Sequence, residues 1–332
     1  MATNDQLKAL VMSHAEGDDS QFYSVAMQVA AKAARSGQQK FAQDLRDMVD
    51  GLRKRTPANT HIASVVPVSR PRGELASLVS VSYPAARLSD LVLSDDVEHK
   101  LHQVVLEQRQ RDVLALYGLR PAKKLLLVGP PGTGKTTTAS VIAGELGLPL
   151  LAIRLDAVIT KFMGETAAKL RIIFDALSDT RGVYLFDEVD ALASDRGASN
   201  DIGEIRRVLN SFLQFLDADE SDSVVVAATN HPQLLDGAVF RRFDSVVHFP
   251  LPDGAHARAI IQNRLSLLRH SSISWERVIQ ATQGMSHAEI AVASDSAAKQ
   301  TVLAGRTQVR TADLVSALDD RRALYVGPGQ RH

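Results

Sequence analysis

Residues 124–146, KLLLVGPPGTGKTTTASVIAGEL, constrain the fold more than any other stretch of the chain. An aliphatic run leads straight into a glycine-rich loop, and the loop leads into a helix-forming segment, so a strand, a tight turn and a helix follow in that order. Gly129, Gly132, Gly134, Lys135 and Thr136 stand in the spacing G-x-x-x-x-G-K-[ST]. Glycines let backbone N–H groups turn onto a polyphosphate, and the helix N-terminus adds its partial positive charge. Lys135 reaches the terminal phosphates, and Thr136 offers a hydroxyl to Mg²⁺. The expected nucleotide cradle is the run Gly129, Pro130, Pro131, Gly132, Thr133, Gly134, Lys135, Thr136 and Thr137. A glycine turn beside a surface lysine is the ordinary alternative, and the flanking strand and helix argue against it.

Four more short runs share the character of the first: LLAIRL (150–155), VYLFD (183–187), SVVVAAT (223–229) and SVVHF (245–249). Each is nearly continuous in apolar residues, as strands buried on both faces of a parallel sheet are, and helical stretches separate them. A covered α/β sheet is therefore expected. Two of these strands deliver polar groups to one rim. VYLFD ends on Asp187, suited to the Mg²⁺ shell, with Glu188 next, suited to polarising an attacking water. The 223–229 run ends at Asn230, able to hold that water or sense the γ-phosphate. Open parallel sheets place their ligands at the carboxyl ends of strands, so hydrolysis is the expected activity. Asp190 reads equally well as a solvated acid starting a helical turn.

Outside this region the pattern is helical. Residues 4–54 carry three stretches with apolar positions three or four apart, for example Phe22, Val25, Ala26 and Val29, and are expected to form a small N-terminal bundle over 1–55. Residues 56–87 mix prolines with short β-prone runs and read as a linker able to hold an edge strand. The α/β region then spans 88–252. A lid of helices over 253–322 follows, and 323–332 is a tail.

Composition limits what such a chain can bind. Lys plus Arg equals Asp plus Glu at 38 each, so no overall field draws the chain to nucleic acid or to an acidic membrane. There is no cysteine, which excludes disulfides and thiol catalysis and fits a reducing cytoplasm. The N-terminus lacks the pattern of a signal peptide, and no apolar run is long enough to span a membrane.

The loop, LFDEVD, AATN and LLDGAVFRRFDSVVHFPLPD, in that order, resemble the AAA+ ATPases, a P-loop NTPase family, and in particular the branch of proteasomal, severing and membrane-remodelling ATPases. The resemblance runs from about Leu88 to Asp320. It implies ATP with Mg²⁺ as ligands, the sensor role for Asn230, and arginine fingers at Arg241 and Arg242 that act on a neighbour's nucleotide. It also implies a ring of identical subunits, taken as a hexamer. In the family an aromatic residue in a pore loop grips a protein client, and Phe162, flanked by Lys161 and Met163, takes that place. Residues 194–217 resemble the second pore-facing segment and the helix beyond it, where Arg206 and Arg207 either act across the subunit interface or form a solvated helical face. Two departures stand out: Leu91, Val92 and Leu93 stand where relatives carry Asp-Ile-Gly near the adenine, and His287 replaces a glycine in the lid. No arginine stands in that lid segment.

These implications lead to a cytoplasmic ring that couples ATP hydrolysis to unfolding, remodelling or translocating a protein client, with a separate protease or effector as a further partner. The alternative is an ATP-dependent switch or assembly factor that acts without threading. Replacing Phe162 separates the two, since only threading needs its grip. A DNA-acting ATPase fits less well, because charge is balanced and basic aromatic clusters are lacking.

Overall fold

The computed structural model describes Gln43 and residues 71–160, 163–192 and 202–324, with the backbone alone at 163 and 202–207. Apart from Gln43 the proposed bundle lies outside the described residues, as do the Lys161–Phe162 pair and the tail from 325. From residue 71 on, the described chain belongs to a compact unit spanning Pro67–His332.

Six strands make one sheet: β1 (Val79–Ser82), β2 (Lys124–Val128), β3 (Leu150–Ile153), β4 (Val183–Phe186), β5 (Val224–Thr229) and β6 (Ser245–His248). Their spatial order is β1-β3-β4-β5-β2-β6. β1 runs antiparallel to β3, and every other pairing is parallel. The five strands expected from the sequence are β2 to β6, with β3 ending two residues early because Arg154 turns into a short helix. β1 corrects the boundary drawn at 88: the segment read as linker supplies a short helix, α1 (Leu75–Leu78), and the edge strand, so the α/β unit begins before it. An antiparallel edge strand needs only one apolar face, and VSVS alternates accordingly with Val79 buried.

The strands are sealed on both faces, and successive residues go to opposite cores. Leu126, Val128, Tyr184, Phe186, Val225 and Ala227 enter one cluster. Leu125, Leu127, Val183, Leu185, Val224, Val226 and Ala228 enter the other. This is the two-residue period of a strand that reads as continuously apolar because both faces are covered. The first face is covered by α6 (Met163–Asp179) and α7 (Ile202–Ala218), where Phe174, Phe186 and Phe212 meet with ring centroids 5.0–5.8 Å apart. The second is covered by α2 (Asp95–Arg109), which leads into α3 (Arg111–Leu116), and by α4 (Lys135–Leu146). Two one-turn helices, α5 (Leu155–Val158) and α8 (Gly237–Phe240), connect elements at the rim.

After β6 the chain is helical, as expected: α9 (Gly254–Arg264), α10 (Trp275–Thr282), α11 (His287–Leu303) and α12 (Thr311–Ala323) enclose a third core around Ile261, Val278, Ile290, Leu314 and Leu318. Asp253 caps α9 by accepting from the His256 N–H, and Ser286 and Glu289 form a reciprocal capping box at the start of α11. Val92, from the segment before α2, packs against this third core and links the lid to the sheet unit.

Candidate active site

The carboxyl ends of β2, β4 and β5 open on the same rim, because the three are parallel neighbours. The loop after β2 must there make close turns. Gly132 has φ of 75° and Gly134, which caps α4, has φ of 98°, both in the left-handed region that glycine alone enters without strain. A Cβ on Gly132 would also lie 2.7 Å from Ser286 Oγ. That closeness has a use: the Ala288 N–H donates to the Gly132 carbonyl at 2.9 Å, so α11 of the lid sits directly on the loop.

Lys135 is buried, and its ammonium donates to the carbonyls of Gly129 and Pro130, each at 2.8 Å. Burial holds its pKa below the ordinary lysine value, while Asp187, Asp190 and Glu188 pull it back up. Thr136 and Asp187, 51 positions apart in sequence, meet at 2.6 Å, with the hydroxyl donating to the carboxylate. A hydroxyl beside a carboxylate on an open rim is an oxygen donor pair suited to Mg²⁺.

Glu188 follows with φ of 53°, the one non-glycine residue in the left-handed region among those described. Such a conformation costs about 1–3 kcal/mol and persists only where surrounding contacts hold it. Here its N–H donates to Asp187 Oδ1 at 3.0 Å, and its carbonyl accepts from the Ala191 N–H at 2.8 Å. The turn leaves the Glu188 side chain exposed at the rim. Asp190, in the next turn, departs from the expectation of a solvated acid: it is 8% exposed, and it accepts from Thr229 Oγ1 at 2.7 Å and from the Asn230 N–H at 3.3 Å.

These groups border a cavity of about 740 Å³. Its polar end is lined by the loop from Pro131 to Thr137 with Asp187, Glu188 and Asn230. The rest of its lining combines the apolar Leu91, Val92, Leu93 and Ile260 with Asp90, Asn263 and, on α11, His287, Ala288 and Ala291. The segment that replaces Asp-Ile-Gly thus borders the cavity, and so does the histidine that replaces glycine. Burial, and then the neighbouring His256, hold the His287 pKa below its ordinary value, while the Val92 backbone offsets part of this. Its Nδ1 is buried without a hydrogen-bond partner.

Arg264, at the end of α9, also lines the cavity, with Asp295 at 3.7 Å. It was not among the residues expected from the sequence, where the lid segment compared with relatives is that of α11; Ile260, one helical turn before it and also lining the cavity, was the signal in the sequence. Arg241 and Arg242 lie away from this cavity. Both are exposed, and they differ: Arg242 pairs with Asp217 on α7, whereas Arg241 has no partner among the described residues. Of the pore-loop residues only the Met163 backbone is described, at the start of α6, and the Arg206 and Arg207 side chains are not.

Comparison with known proteins agrees with this geometry. Residues 125–251 match the family model AAA, ATPase family associated with various cellular activities. The AAA family ATPase y4kL of Sinorhizobium fredii is 33% identical over 330 residues, covering 98% of each chain. The proteasome-activating nucleotidase of Methanothermobacter thermautotrophicus is 32% identical over 235 residues, 68% of this chain and 57% of that one. The ATP-dependent zinc metalloprotease FtsH of Lancefieldella parvula is 34% identical over 233 residues, and the match spans 36% of its length. The solved AAA domain of FIGL-1 in complex with ADP superposes with a TM-score of 0.60 at 26% identity, over 76% of this chain and 92% of that one. With a family model over the glycine loop and the strands that follow it, and an AAA family relative matched over 98% of each chain, the chain belongs to the AAA family of ATPases and hydrolyses ATP.

Proposed function

We propose that the chain is a ring-forming, Mg²⁺-dependent ATPase of the cytoplasm that uses hydrolysis to remodel, unfold or translocate a protein client. The observation that carries the catalytic part is the convergence of Thr136, Asp187, Glu188 and Asn230 on one rim beside the glycine loop. In this reading residues 129–137 cradle the phosphates and Lys135 exchanges its two carbonyl partners for phosphate oxygens. Thr136 and Asp187 would hold Mg²⁺, which would supply positive charge beside the phosphates. Glu188 takes a proton from the attacking water, and Asn230 donates to that water or to the γ-phosphate.

Arg241 is assigned to a neighbouring subunit's site, supported by its exposure and by a guanidinium without a partner among the described residues. An arginine aimed away from its own nucleotide acts only in an assembly, so hydrolysis is expected to depend on ring formation. Arg242, clasped to Asp217, steadies the loop that presents it. Work on a protein client is supported by relatives whose names place them in proteolysis and proteasome activation. Lys161, Phe162 and Met163 are proposed to contact that client. Among the described residues no helix is long and apolar enough to cross a membrane.

The test is capture. Glu188→Gln protein held in ATP and incubated with extract from its source should retain its client stably, while Lys135→Ala protein should not. One or more polypeptides retained only by the first variant, and lost when Phe162 is also changed to alanine, support threading. Identical retention with and without Phe162 overturns it.

A further inference from the structure

We propose that Asp190 is a positioning residue for hydrolysis: through a single carboxylate oxygen it fastens the end of β5, and with it Asn230, to the turn that carries Glu188. Asp190 does not line the cavity, so it does not act on the nucleotide directly. It lies two residues after Glu188 in the short turn Val189–Leu192, and its Oδ1 receives both the Thr229 hydroxyl and the Asn230 N–H. The Thr229 hydroxyl in turn accepts from the His231 N–H at 3.0 Å, so the three residues at the end of β5 are drawn into one network.

A buried carboxylate is costly unless hydrogen bonds compensate it, and a strand can end without one. Here both partners of that oxygen flank or belong to the residue assigned to sense the γ-phosphate. The other side of the linkage is the strained Glu188 turn, whose left-handed backbone needs a rigid support. The geometry makes Glu188 and Asn230 parts of one rigid body. Their separation, which decides whether a water is held in line, is therefore set before nucleotide arrives. This rests on the assignment of Glu188 and Asn230 to that water. The fastening itself is read from Asp190 and Thr229.

A positioning role and a merely structural one differ in what they disturb. Single-turnover ATP hydrolysis and binding of a fluorescent ADP are to be measured on the full chain with Asp190→Ala, Asp190→Asn and Thr229→Val. Asparagine keeps an acceptor oxygen in place, and valine removes only the Thr229 hydroxyl. The expected result is a loss in hydrolysis rate on the order of 10²-fold for Asp190→Ala, the size typical of catalytic groups displaced by about 1 Å. A smaller loss is expected for Thr229→Val, with ADP affinity unchanged in both and most of the rate restored by Asp190→Asn. Failure of Asp190→Ala to fold leaves Thr229→Val and Asp190→Asn to decide. The proposal is overturned by unchanged hydrolysis in Thr229→Val, by hydrolysis and ADP affinity falling together, or by Asp190→Asn being as slow as Asp190→Ala. Loss of the Glu188 or Asn230 assignment alone would show differently: Glu188→Gln or Asn230→Ala would then hydrolyse ATP at full rate.

Discussion

Lys135 and Glu188 border the same cavity, and the proposed reaction gives them different parts. Removing the ammonium takes away a charge-assisted bond worth about 1.5–3 kcal/mol, so Lys135→Ala should weaken nucleotide binding by roughly one to two orders of magnitude. Glu188→Gln keeps shape and cannot take a proton, so it should bind ATP as the native chain does and hydrolyse it roughly 10²-fold or more slowly. Titration with fluorescent nucleotide and phosphate release read the two effects separately. Equal loss of binding in both variants would refute the division of roles. These residues were legible because their spacing follows from chemistry alone, a phosphate cradle on one strand and acids on another. Asp190 was not, because its partners come from β5, about forty positions on, and nothing near it in sequence signals burial. Arg264 was hidden for a similar reason: only the packing of α9 against α11 brings it to the cavity.

Among the elements, the buried strands were legible and so was the capacity of the 56–87 segment for an edge strand, but not the position of β1, four residues in a proline-containing segment that gain their place from pairing with β3. Helices α6 and α7 hold the phenylalanine cluster that supports β4, the strand bearing Asp187 and Glu188. Phe212 is fully buried, so Phe212→Ala should cost about 3–5 kcal/mol by leaving a cavity, seen as a lowered thermal midpoint, with hydrolysis lost on warming before binding is. The lid adds a pH dependence through His287. Burial depresses its folded pKa below the ordinary 6.5, so as pH falls the unfolded chain takes up the proton first. Its contribution is therefore intact above 6.5 and lost as pH drops below that value toward the folded pKa. The neighbouring His256 pairs with Asp253 at 2.7 Å. Thermal midpoints of native and His287→Asn protein, measured from pH 7.5 to 5.5, should converge on acidification; parallel curves would show that His287 does not carry the effect.

For the whole molecule the decisive question is whether the site is complete within one chain. The cavity brings together the glycine loop, the Thr136–Asp187 pair, Glu188 and Asn230, while Arg241 and Arg242, the exposed pair the resemblance singles out as fingers, lie elsewhere. A shared site makes a quantitative demand on mixed assemblies. Arg241→Ala rings lack the finger at every interface, and Glu188→Gln rings lack the base at every site, so each alone should hydrolyse poorly. In a random equal mixture, a subunit with an intact Glu188 meets a neighbour with an intact Arg241 at about a quarter of interfaces, as head-to-tail contacts in a closed ring require. Phosphate release should thus rise to about a quarter of the native rate on mixing, if each site works independently, and fall again as either variant is taken to excess. A mixture no more active than the sum of its parts, at every ratio and with assembly verified by sedimentation, would mean that Arg241 does not reach across to its neighbour.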